Sequence, residues 1–146
     1  MSAAGQSGDI VGCPECGRRN RVPAAADGRP RCGNCEAPLP WIAEATDDDF
    51  AEIAEKGPPY VLVDLWAAWC GPCRMVSPAL EQIATEMAGR IKLVKVDIDR
   101  SPGLSARFGV QAVPTLLILD RGKVIARRTG AAPAPALRAW VEQTVR

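Results

Sequence analysis

The chain has 146 residues, of which 47% are hydrophobic and 24% charged, with a formal net charge of +1. That length suits one ordinary domain with a small appendage. The near-balanced charge argues against nucleic acid or an anionic membrane as partner, and no apolar run is long enough to span a bilayer.

The chain opens MSAAGQSGDIVGC. It has neither a basic n-region nor an apolar h-region, so no secretion signal is read there, and a cytoplasmic location is expected. In a reducing compartment, cysteines serve more often as metal ligands or reactive groups than as structural disulfides. No histidine occurs anywhere. A zinc site must therefore use cysteine or carboxylate, and no imidazole is present as acid or base.

Residues 1–40 are rich in Gly, Pro, Arg and Ala, with Ile10, Val11, Val22 and Leu39 as the large aliphatic residues. Such a segment buries too little to fold without a staple. From residue 41 the pattern changes. WIAEA reads as a strand. TDDDFAEIAEKG reads as a helix capped by Thr46 or Asp47 and stopped by Gly57. YVLVDLWA is a nearly continuous apolar run, as in a strand buried on both faces. CRMVSPALEQIATEMAG is a long helix with Pro78 inside it and Gly89 at its end. IKLVKVD is another strand and SPGLSARFG a short helix. TLLILD and KVIARRTG form a hairpin about Arg121-Gly122, and PAPALRAWVEQTV closes the chain as a helix. The expected class is α/β, a mixed central sheet flanked by helices, over residues 41–146, after a zinc-binding module over residues 1–40.

The six cysteines form three CxxC pairs. Cys13–Cys16 and Cys32–Cys35 are separated by fifteen residues, a spacing typical of zinc sites. Four thiolates close tetrahedrally around one structural zinc and leave no position open for substrate. Pro14, Gly17 and Gly33 suit the tight turns that aim amides at the sulfurs. Two disulfides or four free thiols are the alternatives. A nucleic-acid role is disfavoured, because the five arginines here are nearly balanced by four acids.

Cys70-Gly71-Pro72-Cys73 lies where the buried strand ends and a helix begins. Unpaired amides and the helix dipole favour a thiolate at that end. Cys70 is expected there with its sulfur exposed, and Cys73 one turn further in and more buried. Their spacing lets a disulfide form with a small adjustment of the first turn, where Pro72 is tolerated. An inert buried pair is the competing reading. Asp64 interrupts YVLVDLW. In the absence of histidine it is the nearest preceding acid able to take a proton from Cys73, unless it faces solvent or ties down a loop.

WCGPC after YVLVDLWAA, with KVDID, FGVQAVPTLLIL, RGKV and Gly130 downstream, resembles the thioredoxin family over residues 41–146. The upstream NRVP and RCGNC segments resemble its zinc-containing thioredoxin 2, or thioredoxin C, type. The resemblance implies a thioredoxin fold and protein-disulfide reductase activity. It makes Cys70 the attacking thiolate and Cys73 the resolving thiol. It gives Asp64 the role of proton acceptor with Lys95 nearby, although Lys95 also suits a plain surface position. It makes Pro114 a cis proline facing the cysteines. Trp69, Gly71, Pro72, Val113, Pro114, Gly130 and Ala131 would form the docking surface for disulfide-containing protein substrates. A flavoprotein thioredoxin reductase using NADPH is the implied partner, and the chain carries no GxGxxG motif for a flavin or nicotinamide of its own. A thiol oxidase or isomerase, and a redox sensor that signals by releasing zinc from Cys13, Cys16, Cys32 and Cys35, are the rival functions.

Overall fold

Alternation along the strands decides which side chains meet. A computed structural model describes residues 9–26, 28–56 and 59–145. Strands β3 (Ile42–Glu44), β4 (Tyr60–Trp66), β5 (Ile91–Asp97), β6 (Thr115–Asp120) and β7 (Lys123–Thr129) form one sheet in the order β3-β5-β4-β6-β7. β3, β5 and β4 run parallel, whereas β6 and β7 are antiparallel, so the sheet is mixed as expected. This is a thioredoxin fold.

Helices α1 (Phe50–Ala54) and α3 (Pro102–Arg107) cover one face; α2 (Gly71–Glu86) and α4 (Ala134–Thr144) cover the other. Val61, Val63 and Leu65 of β4 pack on the first face with Phe50, Ile53 and Leu104. Leu62, Leu93, Leu116 and Ile118 pack on the second with Val76, Leu80, Leu137 and Val141. The period of two therefore turns Asp64 and Lys95 toward α2, and Lys92 toward α1.

Three local expectations change. The first helix begins at Phe50, and neither Thr46 nor Asp47 caps it. Residues 47–49 form a turn closed by the Thr46 amide donating to Asp49 Oδ1 at 2.7 Å. Asp47 instead caps α3, accepting from the Gly103 and Leu104 amides at 2.9 and 2.8 Å. The expected stop at Gly57 lies outside the described residues. Helix α2 ends at Glu86, before Gly89, which takes φ +86° in the following turn. Trp41, expected in the first strand, precedes it and packs with Cys13, Val22, Cys32 and Leu39.

The N-terminal segment forms a two-stranded antiparallel ribbon, β1 (Asp9–Gly12) and β2 (Arg19–Val22). One turn joins its strands and a matching turn follows it. The Gly17 amide donates to the Cys13 carbonyl and the Glu36 amide to the Cys32 carbonyl, both at 2.9 Å. Positive φ falls at equivalent places, +81° at Gly17 and +67° at Glu36. Gly33 has a different job: its amide donates to Asn20 Oδ1 at 3.0 Å.

Candidate functional site

Strand β4 delivers the chain to residue 66, a short turn follows, and α2 begins at Gly71. Cys70 is the N-cap of α2, with extended backbone, and its sulfur accepts the Cys73 amide at 3.1 Å. Cys70 and Cys73 are joined by a disulfide, with Cα atoms 5.4 Å apart. Gly71 and Pro72 complete the first turn and are exposed.

The expected contrast in exposure between the two cysteines is absent, since each residue is 4% exposed. Cys70 is covered by a segment distant in sequence: its sulfur lies 3.6 Å from the Val113 carbonyl oxygen. Val113 precedes Pro114 through a cis peptide bond. The Pro114 carbonyl accepts the Gly130 amide at 2.9 Å, and Gly130 takes φ +95°. Ala131 beside it is exposed. Trp69 is 68% exposed, yet its indole N–H donates to Asp99 Oδ2 at 2.9 Å, which fixes the ring against solvent.

Asp64 is 1% exposed, and its Oδ1 has no hydrogen-bond partner among the described residues. Burial pushes its carboxyl up to about 6, the Lys95 ammonium opposes this, and Glu81 adds to it. Asp64 and Lys95 are register partners on adjacent strands. Lys95 is not a plain surface residue. Its Nζ donates to Ser77 Oγ at 2.6 Å and pairs with Glu81 at 2.9 Å. Lys95, Cys73, Ser77 and Trp66 line a cavity of about 160 Å³. The buried Trp66 indole nitrogen has no partner among the described residues. Sequence reading missed Ser77, Glu81 and Asp99. For the first two the signal was available: Cys73, Ser77 and Glu81 are spaced i, i+4, i+8 and so share one helix face.

The four upstream cysteines converge from the two matching turns. Their sulfurs all lie within 4.8 Å of one another, with Cys13 to Cys35 at 3.5 Å and Cys16 to Cys32 at 3.6 Å. A tetrahedron with zinc–sulfur bonds of about 2.3 Å has sulfurs roughly 3.8 Å apart, so the set fits one zinc. Amides point at the sulfurs: Glu15 N–H to Cys13, and Asn34 N–H to Cys32, each at 3.4 Å. Side-chain amides add Asn20 to Cys32 at 3.6 Å and Asn34 to Cys16 at 3.5 Å. The Cys35 amide is the main influence holding Cys32 down at about 6. At Cys35 the Ala37 amide favours the thiolate, but the neighbouring sulfurs and burial prevail and push it up to about 12. A divalent cation at the centre relieves that crowding.

Residues 41–143 match the thioredoxin family. The chain is 36% identical to thioredoxin C-3 of Corynebacterium nephridii over 92% of this chain and 94% of that one. It is 38% identical to a Haemophilus influenzae thioredoxin over 71% of this chain and 97% of that one. With a Bacillus subtilis thioredoxin the identity is 41%, over 70% and 96%.

Proposed function

This chain belongs to the thioredoxin family and is a thiol-disulfide oxidoreductase, and from that premise we propose that it reduces protein disulfides with Cys70 and Cys73. The observation that carries this reading is the disulfide between these residues at the start of α2, beside the Val113 carbonyl. In the reduced protein, the Cys73 amide and the helix N-terminus favour the Cys70 thiolate.

The Cys70 thiolate attacks one sulfur of a substrate disulfide. A Cys70–substrate bond forms, the substrate's own S–S bond breaks, and the first substrate thiolate leaves and takes up a proton. Cys73 gives its proton to Asp64, with Lys95 nearby, and attacks the Cys70 sulfur. The second substrate thiolate departs, and two electrons have passed from the dithiol to the substrate. A flavoprotein reductase drawing on NADPH returns both electrons, so the flavin and nicotinamide belong to that partner. Exposed Trp69, Gly71, Pro72 and Ala131, with Val113, Pro114 and Gly130 behind them, form the docking surface. Residues 1–40 are the zinc-binding module, residues 41–146 the reductase domain, and the setting is the cytoplasm.

Cys13, Cys16, Cys32 and Cys35 would hold one zinc, which supplies structural cross-linking rather than chemistry, because all four positions are sulfur. A redox-sensing role for this zinc is favoured by the exposure of Cys16 and Cys35. The test of the main reading is insulin reduction with reductase and NADPH. Cys70→Ser should abolish it without loss of zinc, and Cys73→Ser should trap a mixed disulfide. Normal turnover by the Cys73 variant would remove Cys73 as the resolving thiol. No turnover by the folded, zinc-loaded wild-type chain would favour the sensor.

A further inference from the structure

Lys95 has one carboxylate opposite it on the neighbouring strand, Asp64, and another on helix α2, Glu81, and is tied to only one of them. Its ion pair within bonding range is with Glu81, at 2.9 Å; among the described residues it makes none with Asp64. Ser77 holds the same ammonium at 2.6 Å and donates to Glu81 at 3.4 Å. Glu81 is half exposed, with 47% of its side chain open to solvent, against 19% for Lys95. The helix face from Cys73 through Ser77 to Glu81 thus runs from the buried sulfur to a half-exposed carboxylate; Cys73, Ser77 and Lys95 line the cavity, and Glu81 lies beyond its lining.

The other groups around Asp64 leave this clamp as the adjustable element. Strand β5 brings Lys95 opposite it, with Asp97 two residues on; β6 brings Leu116. Helix α2 brings Cys73, Arg74 and Glu81. Arg74 is turned outward, donating to the Ala68 carbonyl at 2.9 Å. The Lys95 ammonium is therefore the cation that opposes the effect of burial on Asp64, and Glu81 is the carboxylate that pairs with that ammonium.

We propose that Glu81 and Ser77 are positioning residues for disulfide reduction: they hold the Lys95 ammonium toward solvent, and Glu81 thereby sets the pH at which Cys73 is deprotonated for attack on Cys70. The proposal rests on the assignment of Asp64 as proton acceptor. Removing the Glu81 charge frees Lys95 to face Asp64 and removes a repulsion on it. Both effects keep Asp64 ionised, and able to accept a proton, at lower pH.

The test follows the Cys73 step alone. Mixing the reduced, zinc-loaded chain with a chromogenic aromatic disulfide releases one coloured thiolate on attack by Cys70 and a second on attack by Cys73. The Cys70→Ser chain supplies the background from the other cysteines. The second phase should move to lower pH by about half a unit in Glu81→Gln, as expected for losing one half-exposed charge pair. Ser77→Ala should move it the same way by less, and Glu81→Asp should restore it toward wild type. Asp64→Asn is the control. If it alters the profile while Glu81→Gln does not, or moves it to higher pH, the clamp is refuted and Asp64 keeps its role. If Asp64→Asn leaves the profile unchanged, Asp64 is not the acceptor, and a shift in Glu81→Gln would then act on Cys73 directly and overturn the route stated here.

Discussion

Asp64 costs the fold stability whenever it is ionised, because the residue is 1% exposed and one carboxyl oxygen has no partner among the described residues. Its proton affinity rises from 3.8 to about 6 on folding. The folded state therefore holds a proton that the unfolded state releases between those values. Stability is fully present below pH 3.8 and falls as pH rises through about 6. The two-unit difference corresponds to about 2–3 kcal/mol at neutral pH. Asp64→Asn should recover much of that, seen as a higher urea midpoint at pH 7 with little gain near pH 4 (both pH values approximate). The same variant should slow insulin reduction about a hundredfold at neutral pH, the lower end of the range for losing a general base. Equal stability gains at both pH values would mean that ionisation is not the cause. In the four-cysteine cluster, Glu36 is the residue that bears backbone strain, at φ +67°, where its counterpart in the first turn is Gly17.

At the scale of elements, each strand carries two kinds of information. Val94 and Val96 of β5 pack under α1 and α3, while Leu93 packs under α2 and α4. Lys95 follows Leu93 by two residues and so reaches the reactive helix, without any local signal beyond the alternation. Helix α3 depends on a cap borrowed from elsewhere. It has no side-chain cap at Ser101, and the Gly103 and Leu104 amides are bound by Asp47, more than fifty residues earlier. Asp47→Ala should cost about 1 kcal/mol, the usual price of a lost cap, and lower the melting temperature by roughly 2–4 °C. Insulin reduction should be unchanged, since Asp47 touches none of the three cysteine pairs. A melting temperature equal to wild type would show that water replaces the cap at no cost.

Across the whole molecule, the N-terminal four-cysteine segment and the five-stranded sheet share Trp41 and Lys92. The Trp41 indole N–H donates to the Pro23 carbonyl at 2.8 Å, and the Lys92 ammonium lies 3.9 Å from the centre of the Trp41 ring. Lys92 also donates to the Ala24 and Ile53 carbonyls, one on each side of the junction. These contacts dock the module, but the two clusters that sandwich the sheet are made almost wholly by residues after 41. Structural zinc in peptides of this type contributes about 10–16 kcal/mol. Oxidising the four thiolates with peroxide should therefore release about one zinc per chain. Amide protection should fall over residues 9–40, and Trp41 should become more exposed. Protection in β4, β5 and β6 should persist, and insulin reduction should recover once Cys70 and Cys73 are re-reduced. Global loss of protection on zinc release would make the module an integral part of the core.

The sequence alone determined the mixed α/β class, the helix start at the Cys70–Cys73 pair and the convergence of four cysteines on one site. Each of these rests on local information: a period of two or four, a capping position, a CxxC turn. It also marked Asp64, because a lone acid in YVLVDLW contradicts its own strand. Only the tertiary structure decided the rest. Cys70 is covered because Val113, forty-three residues away, lies against its sulfur. Asp47 serves α3 rather than the helix that follows it, and Trp41 belongs with the four-cysteine cluster rather than the strand beside it. The ties of Lys95 to Ser77 and Glu81 arise where a strand and a helix cross. Such contacts join residues far apart in the chain, so no window of sequence carries them; packing of the sheet against its helices does.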